Sequence, residues 1–317
     1  MGIEGKQIIV TGGAGFIGSH LVDKLTGLNA RVVVLDNLSF GKVENINKKA
    51  DFINQDITDY KKLSALVKDI NPDIIYHLAA NATTKESAMG WNNPVDDYRI
   101  NTLGTLNTLQ AIVDAKISPL LVYASSAAVY GEPEYIPTDE KHPTSPISPY
   151  GISKLTSEKY IQAYSKQHKV PFVVLRFFPI YGPRQPRYVM YDLLMKLKNN
   201  LGILEIMGTG KQTRDFTYVE DLINAIILVT TSKDAVNKVF NTASGKSISI
   251  KELAEQILIA LNLEKTTKLH FTGQSWAGDI QKWSADIKKI KSLGYTQRTP
   301  LKEGIQKLNT WLEASNK

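Results

Sequence analysis

Closely spaced glycines follow an apolar run near the start of the chain. Residues 8–10 are Ile, Ile and Val, and Gly12, Gly15 and Gly18 follow at three-residue intervals. An apolar stripe of helical period then begins at Phe16 and Ile17. Side chains at the glycines would block an anion from the backbone, and the N–H groups of the helix start would face it. The stretch therefore predicts a strand, a tight turn and a helix around a phosphate site.

An acidic residue, Asp36, ends the next apolar run, 18 residues after Gly18. A second parallel strand would place this carboxylate against the ribose of a bound adenosine. Because a carboxylate repels a 2′-phosphate, the combination favours NAD over NADP. The alternative is a tight strand–helix turn that binds nothing, but the position, order and spacing of these residues favour the cofactor.

Composition excludes several kinds of site. The 317-residue chain has no cysteine, which rules out disulfides, thiolate metal sites and cysteine nucleophiles. Its five histidines show no ligand-like spacing, so we expect no metal. The net charge is +7, but the lysines are spread along the chain, which favours a solvated basic surface over nucleic-acid binding. No apolar run could cross a bilayer, so we expect a cytoplasmic protein without a membrane partner.

Strand and helix signals alternate through the first 180 residues. Strands are predicted at 7–11, 31–35, 51–54, 74–78, 120–124 and 172–177, with helices near 16–27, 60–70, 98–115 and 149–168. This alternation predicts an α/β fold, a Rossmann-like doubly wound parallel sheet. We expect an NAD-binding domain over 1–178 plus about 236–262, where a strand at 239–242 rejoins the sheet. A smaller, discontinuous α/β substrate lobe would comprise about 179–235 and 263–317.

A second motif lies at the predicted start of the helix near 149–168. Ser148 can cap this helix with Pro149 at its first position, so Tyr150 and Lys154 share one face. A nearby ammonium and the positive nicotinamide of an oxidised cofactor would favour the Tyr150 phenolate, making it a base. The alternative is a surface Tyr/Lys pair. The preceding strand ends in Ser125 and Ser126, whose hydroxyls would point into the ligand crevice.

Together these motifs resemble the extended short-chain dehydrogenase/reductase superfamily, in particular nucleotide-sugar epimerases of the UDP-glucose 4-epimerase type. The resemblance spans nearly the whole chain. It rests on Thr11-Gly-Gly-Ala-Gly-Phe-Ile-Gly18, Ser125-Ser-Ala-Ala-Val-Tyr-Gly131, Tyr150-Gly-Ile-Ser-Lys154, Tyr181-Gly-Pro-Arg184, Arg214-Asp-Phe216 and Gly278-Asp279.

The resemblance implies a role for each matching residue. Ser126, Tyr150 and Lys154 would be catalytic: Ser126 holds the sugar 4-hydroxyl, Tyr150 is the base, and Lys154 binds the nicotinamide ribose and lowers the tyrosine pKa. Nucleotide-sugar contacts would come from Ser126, Tyr150, Arg214 and Asp279. Helices near 98–115 and 149–168 would form a homodimer. NAD contacts are implied at Gly12, Gly15, Phe16, Ile17, Gly18, Asp36, Asn37, Ser39, Gly41, Asp56, Ile57, Leu78, Ala79, Ala80, Asn101, Tyr150, Lys154 and Phe177.

The residues after Ser126 distinguish activities within this superfamily. Ala127 and Ala128 stand where the dehydratases carry an Asp-Glu pair and the decarboxylases a Glu, and the 3,5-epimerising reductases need a cysteine. The resemblance thus implies NAD-dependent 4-epimerisation of a UDP-sugar, UDP-glucose or UDP-galactose, through a 4-keto intermediate. Pro179 and Trp276 replace usual substrate contacts. UDP-N-acetylhexosamine or UDP-uronic acid substrates, a nucleotide-sugar reductase and a non-catalytic NAD-binding sensor therefore stay open.

Overall fold

The structure is a computed structural model that describes residues 2–82, 91, 93–274 and 280–315. Its largest sheet has seven parallel strands in the order β3-β2-β1-β4-β5-β6-β11. These strands are β1 (Gln7–Thr11), β2 (Arg31–Asp36), β3 (Asp51–Asn54), β4 (Ile74–His77), β5 (Leu120–Ser126), β6 (Phe172–Phe177) and β11 (Lys238–Thr242). The strand order reverses between β1 and β4, and in such sheets ligands bind outside the carboxyl ends of the strands at this point.

Alternate residues of each strand enter two buried clusters, one on each face of the sheet. Ile8 and Val10 belong to one cluster, and Ile9 belongs to the other. Both faces are apolar because helices cover both, which explains the near-continuous apolar strands.

The helices divide between the two faces of the sheet. Those contributing to the Ile9 cluster are α2 (Tyr60–Ile70), α4 (Gly104–Asp114) and α5 (Pro149–His168). Those contributing to the Ile8 cluster are α1 (Phe16–Gly27), α6 (Val189–Asn199), α7 (Val219–Thr231), α8 (Ile250–Leu261) and α10 (Leu301–Ser315). Two shorter helices are α3 (Pro94–Asp96) and α9 (Lys288–Lys291).

Six shorter strands form three two-stranded sheets in the second half of the chain. The pairs are β7 (Ile180–Tyr181) with β10 (Thr217–Tyr218), β8 (Ile203–Ile206) with β13 (Lys268–Phe271), and β9 (Thr213–Asp215) with β12 (Ser247–Ser249). Residues around them belong to the same buried cluster as Ile8. The division of the chain into an NAD-binding domain and a substrate lobe stays a prediction.

The predicted Rossmann-like fold is confirmed, including the return of β11 to the sheet beside β6. The strands differ from prediction by at most two residues at an end. The predicted helix 98–115 is wrong in detail, because a π-helical segment, Asp97–Leu103, separates α3 from α4. Within the described residues, no helix has both the length and the apolar character needed to span a membrane.

Candidate active site

The turn between β1 and α1 leaves no room for side chains at its glycines. Gly12 has a φ of +71°, and a Cβ there would lie 2.7 Å from the Ala79 nitrogen. A Cβ on Gly18 would overlap the Gly12 carbonyl oxygen. Gly15 begins α1 without a side-chain cap, and the first turn, which contains Phe16 and Ile17, has no acidic residue. The N–H groups and dipole of α1 therefore face the turn uncompensated, which suits a phosphate.

Asp36 is buried at the carboxyl end of β2 beside this turn. Its carboxylate accepts hydrogen bonds from the Ala14 nitrogen at 3.0 Å and the Leu38 nitrogen at 2.8 Å. A Cβ on Gly41 would lie 2.9 Å from both carboxylate oxygens. The backbone thus fixes the orientation of Asp36 and leaves a second lone pair on each oxygen for ribose hydroxyls.

Polar residues link the loop after β2 to the loop after β3. The Asn37 amide donates to Asp56 at 3.1 Å and accepts from the Ser39 nitrogen and hydroxyl. Ile57 is buried against Gly104, the first residue of α4, where a Cβ would overlap its side chain. The predicted NAD contacts Asp56 and Ile57 therefore lie beside the Asp36 loop, as a dinucleotide site requires.

The segment after β4 is tied to the end of β1. The Leu78 nitrogen donates to the Thr11 carbonyl at 3.1 Å, and the Ala79 nitrogen to the Thr11 hydroxyl at 3.2 Å. His77 contacts the same hydroxyl at 3.0 Å and Thr105 at 3.1 Å. Burial lowers the pKa of His77 to about 3, so it is neutral at pH 7. Leu78, Ala79 and the following Ala80 thus run past the glycine turn at the switch point of the sheet.

Tyr150 and Lys154 lie on the first turns of α5, as predicted. The Ser148 hydroxyl accepts a hydrogen bond from the Gly151 nitrogen at 3.1 Å and so caps this helix. The Lys154 ammonium group donates to the Ala124 carbonyl of β5 at 2.9 Å and lies 5.9 Å from the centre of the Tyr150 ring. Ser126, at the end of β5, faces the Tyr150 phenol and helps to lower its pKa. The structure therefore brings the predicted serine, tyrosine and lysine together.

The environment of Tyr150 in the protein alone disfavours the phenolate. Burial raises the pKa of its phenol above the usual value, and Tyr188 and Asp97 raise it further, while Ser126 and Arg187 lower it. Desolvation penalises the phenolate more than the polar neighbours stabilise it. Making Tyr150 a base therefore needs nearby positive charge, and the expectation that Lys154 and an oxidised nicotinamide supply it stays a prediction.

Lys154 has an unusual environment for a lysine. It is 2% exposed, and burial lowers its pKa to about 7, although Asp97 and Glu158 both oppose the shift. Its nearest aromatic neighbour is Tyr123, whose ring centre lies 5.1 Å from the nitrogen. A buried amine that titrates near neutrality is characteristic of functional sites.

The comparisons with known proteins agree with this geometry. Residues 8–243 match the model of the NAD dependent epimerase/dehydratase family. The chain belongs to this family. A Methanocaldococcus jannaschii protein provisionally named UDP-glucose 4-epimerase is 39% identical over 321 residues, covering 98% of this chain and 100% of that protein.

Solved structures of other members match in fold. The UDP-glucose 4-epimerase of Thermotoga maritima, solved with UDP-glucose, has a TM-score of 0.89 at 32% identity, covering 98% of this chain and 99% of that one. The UDP-N-acetylglucosamine 4-epimerase of Methanobrevibacter ruminantium M1, solved with UDP-N-acetylmuramic acid, also has a TM-score of 0.89, at 31% identity and with the same coverage. The family is therefore established, whereas the sugar is not.

NAD is the cofactor of this family, and the described residues fit it. The glycine turn and the start of α1 suit its pyrophosphate, and the fixed carboxylate of Asp36 suits its adenosine ribose. Phe177 ends β6 beside Ser126 in the sheet, at the edge where Tyr150 and Lys154 lie. Asn101 is fully buried and joins Asn81 to Ser153, so the structure gives it a supporting position rather than an open one.

The predicted substrate residues are only partly described. Asp279 and Trp276 lie outside the described residues. Arg214 donates to the Thr213 and Ile280 carbonyls at 2.8 and 2.7 Å, and its guanidinium carbon lies 5.3 Å from the centre of the Trp283 ring. The carbonyl of Pro179 accepts from the Thr217 nitrogen at 2.9 Å, so this position serves the β7–β10 region of the backbone.

Two charged groups near Tyr150 and Lys154, and the position of a third, were not predicted from the sequence. Asp97 is buried in the π-helical segment, and Glu158 lies one turn after Lys154 on α5. Glu158 could have been found from the sequence, because the spacing of Tyr150, Lys154 and Glu158 at i, i+4 and i+8 puts all three on one helix face. Arg187 affects the pKa of Tyr150 and lies over the Phe40 ring at 5.5 Å. Nothing in the sequence joins Arg187 to the loop after β2.

Proposed function

We propose that this protein is an NAD-dependent 4-epimerase of a UDP-sugar, with UDP-glucose and UDP-galactose as the preferred pair and a role in galactose metabolism. The observation that supports this most strongly is the grouping of Ser126, Tyr150 and Lys154 at the carboxyl edge of the sheet, next to the NAD cradle. A protein that only senses NAD has no need for this trio.

Each residue of the trio has a distinct role in the proposed reaction. Bound NAD supplies a reversible hydride acceptor. Tyr150 takes the proton from the sugar 4-hydroxyl and later returns it, while Ser126 orients that hydroxyl and Lys154 stabilises the phenolate. Ala127 and Ala128, both buried, supply no further acid or base after Ser126. This set of groups is sufficient for epimerisation through a 4-keto sugar, with no net oxidation.

The proposal leaves the choice of sugar to experiment. Arg184 is paired with Asp23 at 2.8 Å, which favours Arg214 and Arg187 over Arg184 as partners of the substrate diphosphate. Acetylated and uronic UDP-sugars are the alternatives, since family members act on more than one sugar. A nucleotide-sugar reductase is the alternative that would consume cofactor.

The deciding assay is incubation of the purified protein with UDP-glucose, UDP-galactose, their N-acetyl forms and the uronic acids, without added cofactor. We expect interconversion of one 4-epimeric pair, detected by chromatography. The Tyr150→Phe variant should lose nearly all turnover but still bind NAD, whereas Tyr164→Phe, further along the same helix with its hydroxyl on Gln110, should keep its turnover. Normal turnover by Tyr150→Phe would reject the mechanism, and consumption of added NADH or NADPH would favour the reductase.

We further propose a homodimer through α5 and the segment that precedes α4. Tyr98 in this segment, and Ile152 and Tyr160 on α5, are 60%, 51% and 38% exposed. The two segments pack against each other, so these side chains would form one apolar patch, and such patches mark interaction surfaces in many proteins. Light scattering coupled to size-exclusion chromatography should give a mass near twice 35.2 kDa, and a mass near 35.2 kDa would contradict this assembly.

A further inference from the structure

A buried carboxylate near Lys154 has no role in the chemistry proposed above. Asp97 is 1% exposed and lies in the π-helical segment Asp97–Leu103. Its Oδ1 accepts from the Asn81 amide at 2.9 Å and more weakly from Asn101 at 3.4 Å. Its Oδ2 has no hydrogen-bond partner among the described residues. A half-satisfied buried carboxylate is costly, which suggests that it is retained for a purpose.

The π-helical segment is held directly against the start of α5. Asn101 donates to the Ser153 hydroxyl at 3.0 Å, and Thr102 donates to the Ser153 carbonyl at 3.3 Å. Ser153 is the residue before Lys154, so these bonds fix the position of Asp97 relative to the amine. Short π-helical segments occur frequently at functional sites.

The other groups that face Lys154 balance its charge less than Asp97 does, because Glu158 raises the pKa of Lys154 by a smaller amount. Glu158 is held by Arg176 in two hydrogen bonds of 3.0 and 2.7 Å, so the guanidinium already offsets its charge. Tyr150, Tyr123 and His77 are uncharged at neutral pH because burial raises the pKa of both phenols and lowers that of the imidazole. Arg187 and Tyr188 influence the ionisation of Tyr150.

We propose that Asp97 is a positioning residue whose buried charge keeps Lys154 in the ammonium form that Tyr150 needs to act as a base. This inference rests on the proposed function and deepens it. Asp97 and Lys154 each influence the ionisation of the other, and Lys154 would otherwise lose its proton to desolvation. The π-helical segment serves to place the carboxylate there.

The direct test is the titration of Lys154 in the purified protein, saturated with NAD. Lysine labelled with ¹³C at Cε reports deprotonation by NMR, and a Lys154→Met sample assigns the signal. We expect the Lys154 midpoint to fall by about one pH unit in Asp97→Asn, because the variant removes the buried negative charge that favours the ammonium form. Asp96→Asn, which removes the adjacent and more exposed charge, should leave the midpoint within about 0.2 units.

Two further measurements keep the proposal testable if Asp97→Asn does not fold. The coupling is reciprocal, so Lys154→Met should raise the midpoint of the Asp97 carboxyl carbon by a similar amount. In active Asp97→Asn, the alkaline limb of the kcat profile should move to lower pH with KM unchanged, which a purely structural role would not cause.

An unchanged Lys154 midpoint in folded Asp97→Asn, or an unchanged Asp97 midpoint in Lys154→Met, would overturn the proposal. The result is separable from the proposed function, because the NMR midpoints can be measured even if no UDP-sugar is epimerised. Conversely, if the protein epimerises a UDP-sugar but the Lys154 and Asp97 midpoints do not depend on each other, only the role of Asp97 is rejected.

Discussion

Replacing Glu158 by Gln should destabilise the protein severely, because it leaves a buried cation without its counter-ion. Glu158 and Arg176 are 1% and 6% exposed at their side chains, and two hydrogen bonds of 3.0 and 2.7 Å join them. Glu158 also accepts from the Ser125 hydroxyl at 2.5 Å. The amide of Gln retains the shape and one acceptor but removes the charge.

The expected loss is about 3–5 kcal/mol of unfolding free energy, the usual cost of removing one partner of a buried ion pair. The Arg176 Nη1 already has no hydrogen-bond partner among the described residues, and the guanidinium lies 4.8 Å from the centre of the Tyr130 ring. This contact is too weak to replace a carboxylate. The melting temperature should therefore fall by about 5–10 °C.

The matched control removes both charges. Glu158→Met combined with Arg176→Met should recover most of the stability, leaving about 1 kcal/mol for the lost acceptor of Ser125. Urea unfolding of the wild type, both single variants and the double variant gives the coupling energy. A Glu158→Gln variant within about 1 kcal/mol of wild type would refute this reasoning, because it would mean that solvent reaches the pair.

The remaining predictions concern the cofactor turn and pH. Gly18→Ala should cost about 1–3 kcal/mol in stability and weaken NAD binding, because its Cβ would overlap the Gly12 carbonyl, whereas Gly27→Ala has open space and should be neutral or slightly stabilising in thermal melts. Burial holds the pKa of His77 at about 3, against about 6.5 when unfolded. Between these two pKa values only the unfolded chain binds this proton, so acid favours unfolding. The free energy of unfolding of the wild type should therefore fall by about 3 kcal/mol more between pH 7 and pH 4 than that of His77→Gln. If urea unfolding gave the same fall in unfolding free energy for the wild type and for His77→Gln, this prediction would be contradicted.

The sequence predicted local features well because each depends on neighbouring residues. The glycine spacing, the capped start of α5 and the apolar strands follow from residues within one or two turns of each other. The π-helical segment escaped prediction because an apolar pattern over 98–115 does not separate five-residue from four-residue hydrogen bonding. The contact of Asp97 with the Lys154 environment, and the pairing of Glu158 with Arg176, depend on how distant elements pack, which no short motif encodes.

Tyr150, Lys154 and Glu158 follow one another at four-residue intervals on α5. Their chemistry is determined by what packs against each of them and not by this spacing. Glu158 is bound by Arg176 and Ser125, so its carboxylate serves to hold α5 against β5 and β6. Tyr150 is neutral because burial raises the pKa of its phenol. Lys154 has a pKa near 7, and among the described residues its hydrogen-bond partner is a backbone carbonyl. A residue already compensated cannot respond to a ligand, whereas one held near its midpoint can. The same helix face therefore carries an ion pair at Glu158, a titratable amine at Lys154 and a neutral phenol at Tyr150, and the partners that each side chain meets from other elements determine which it is.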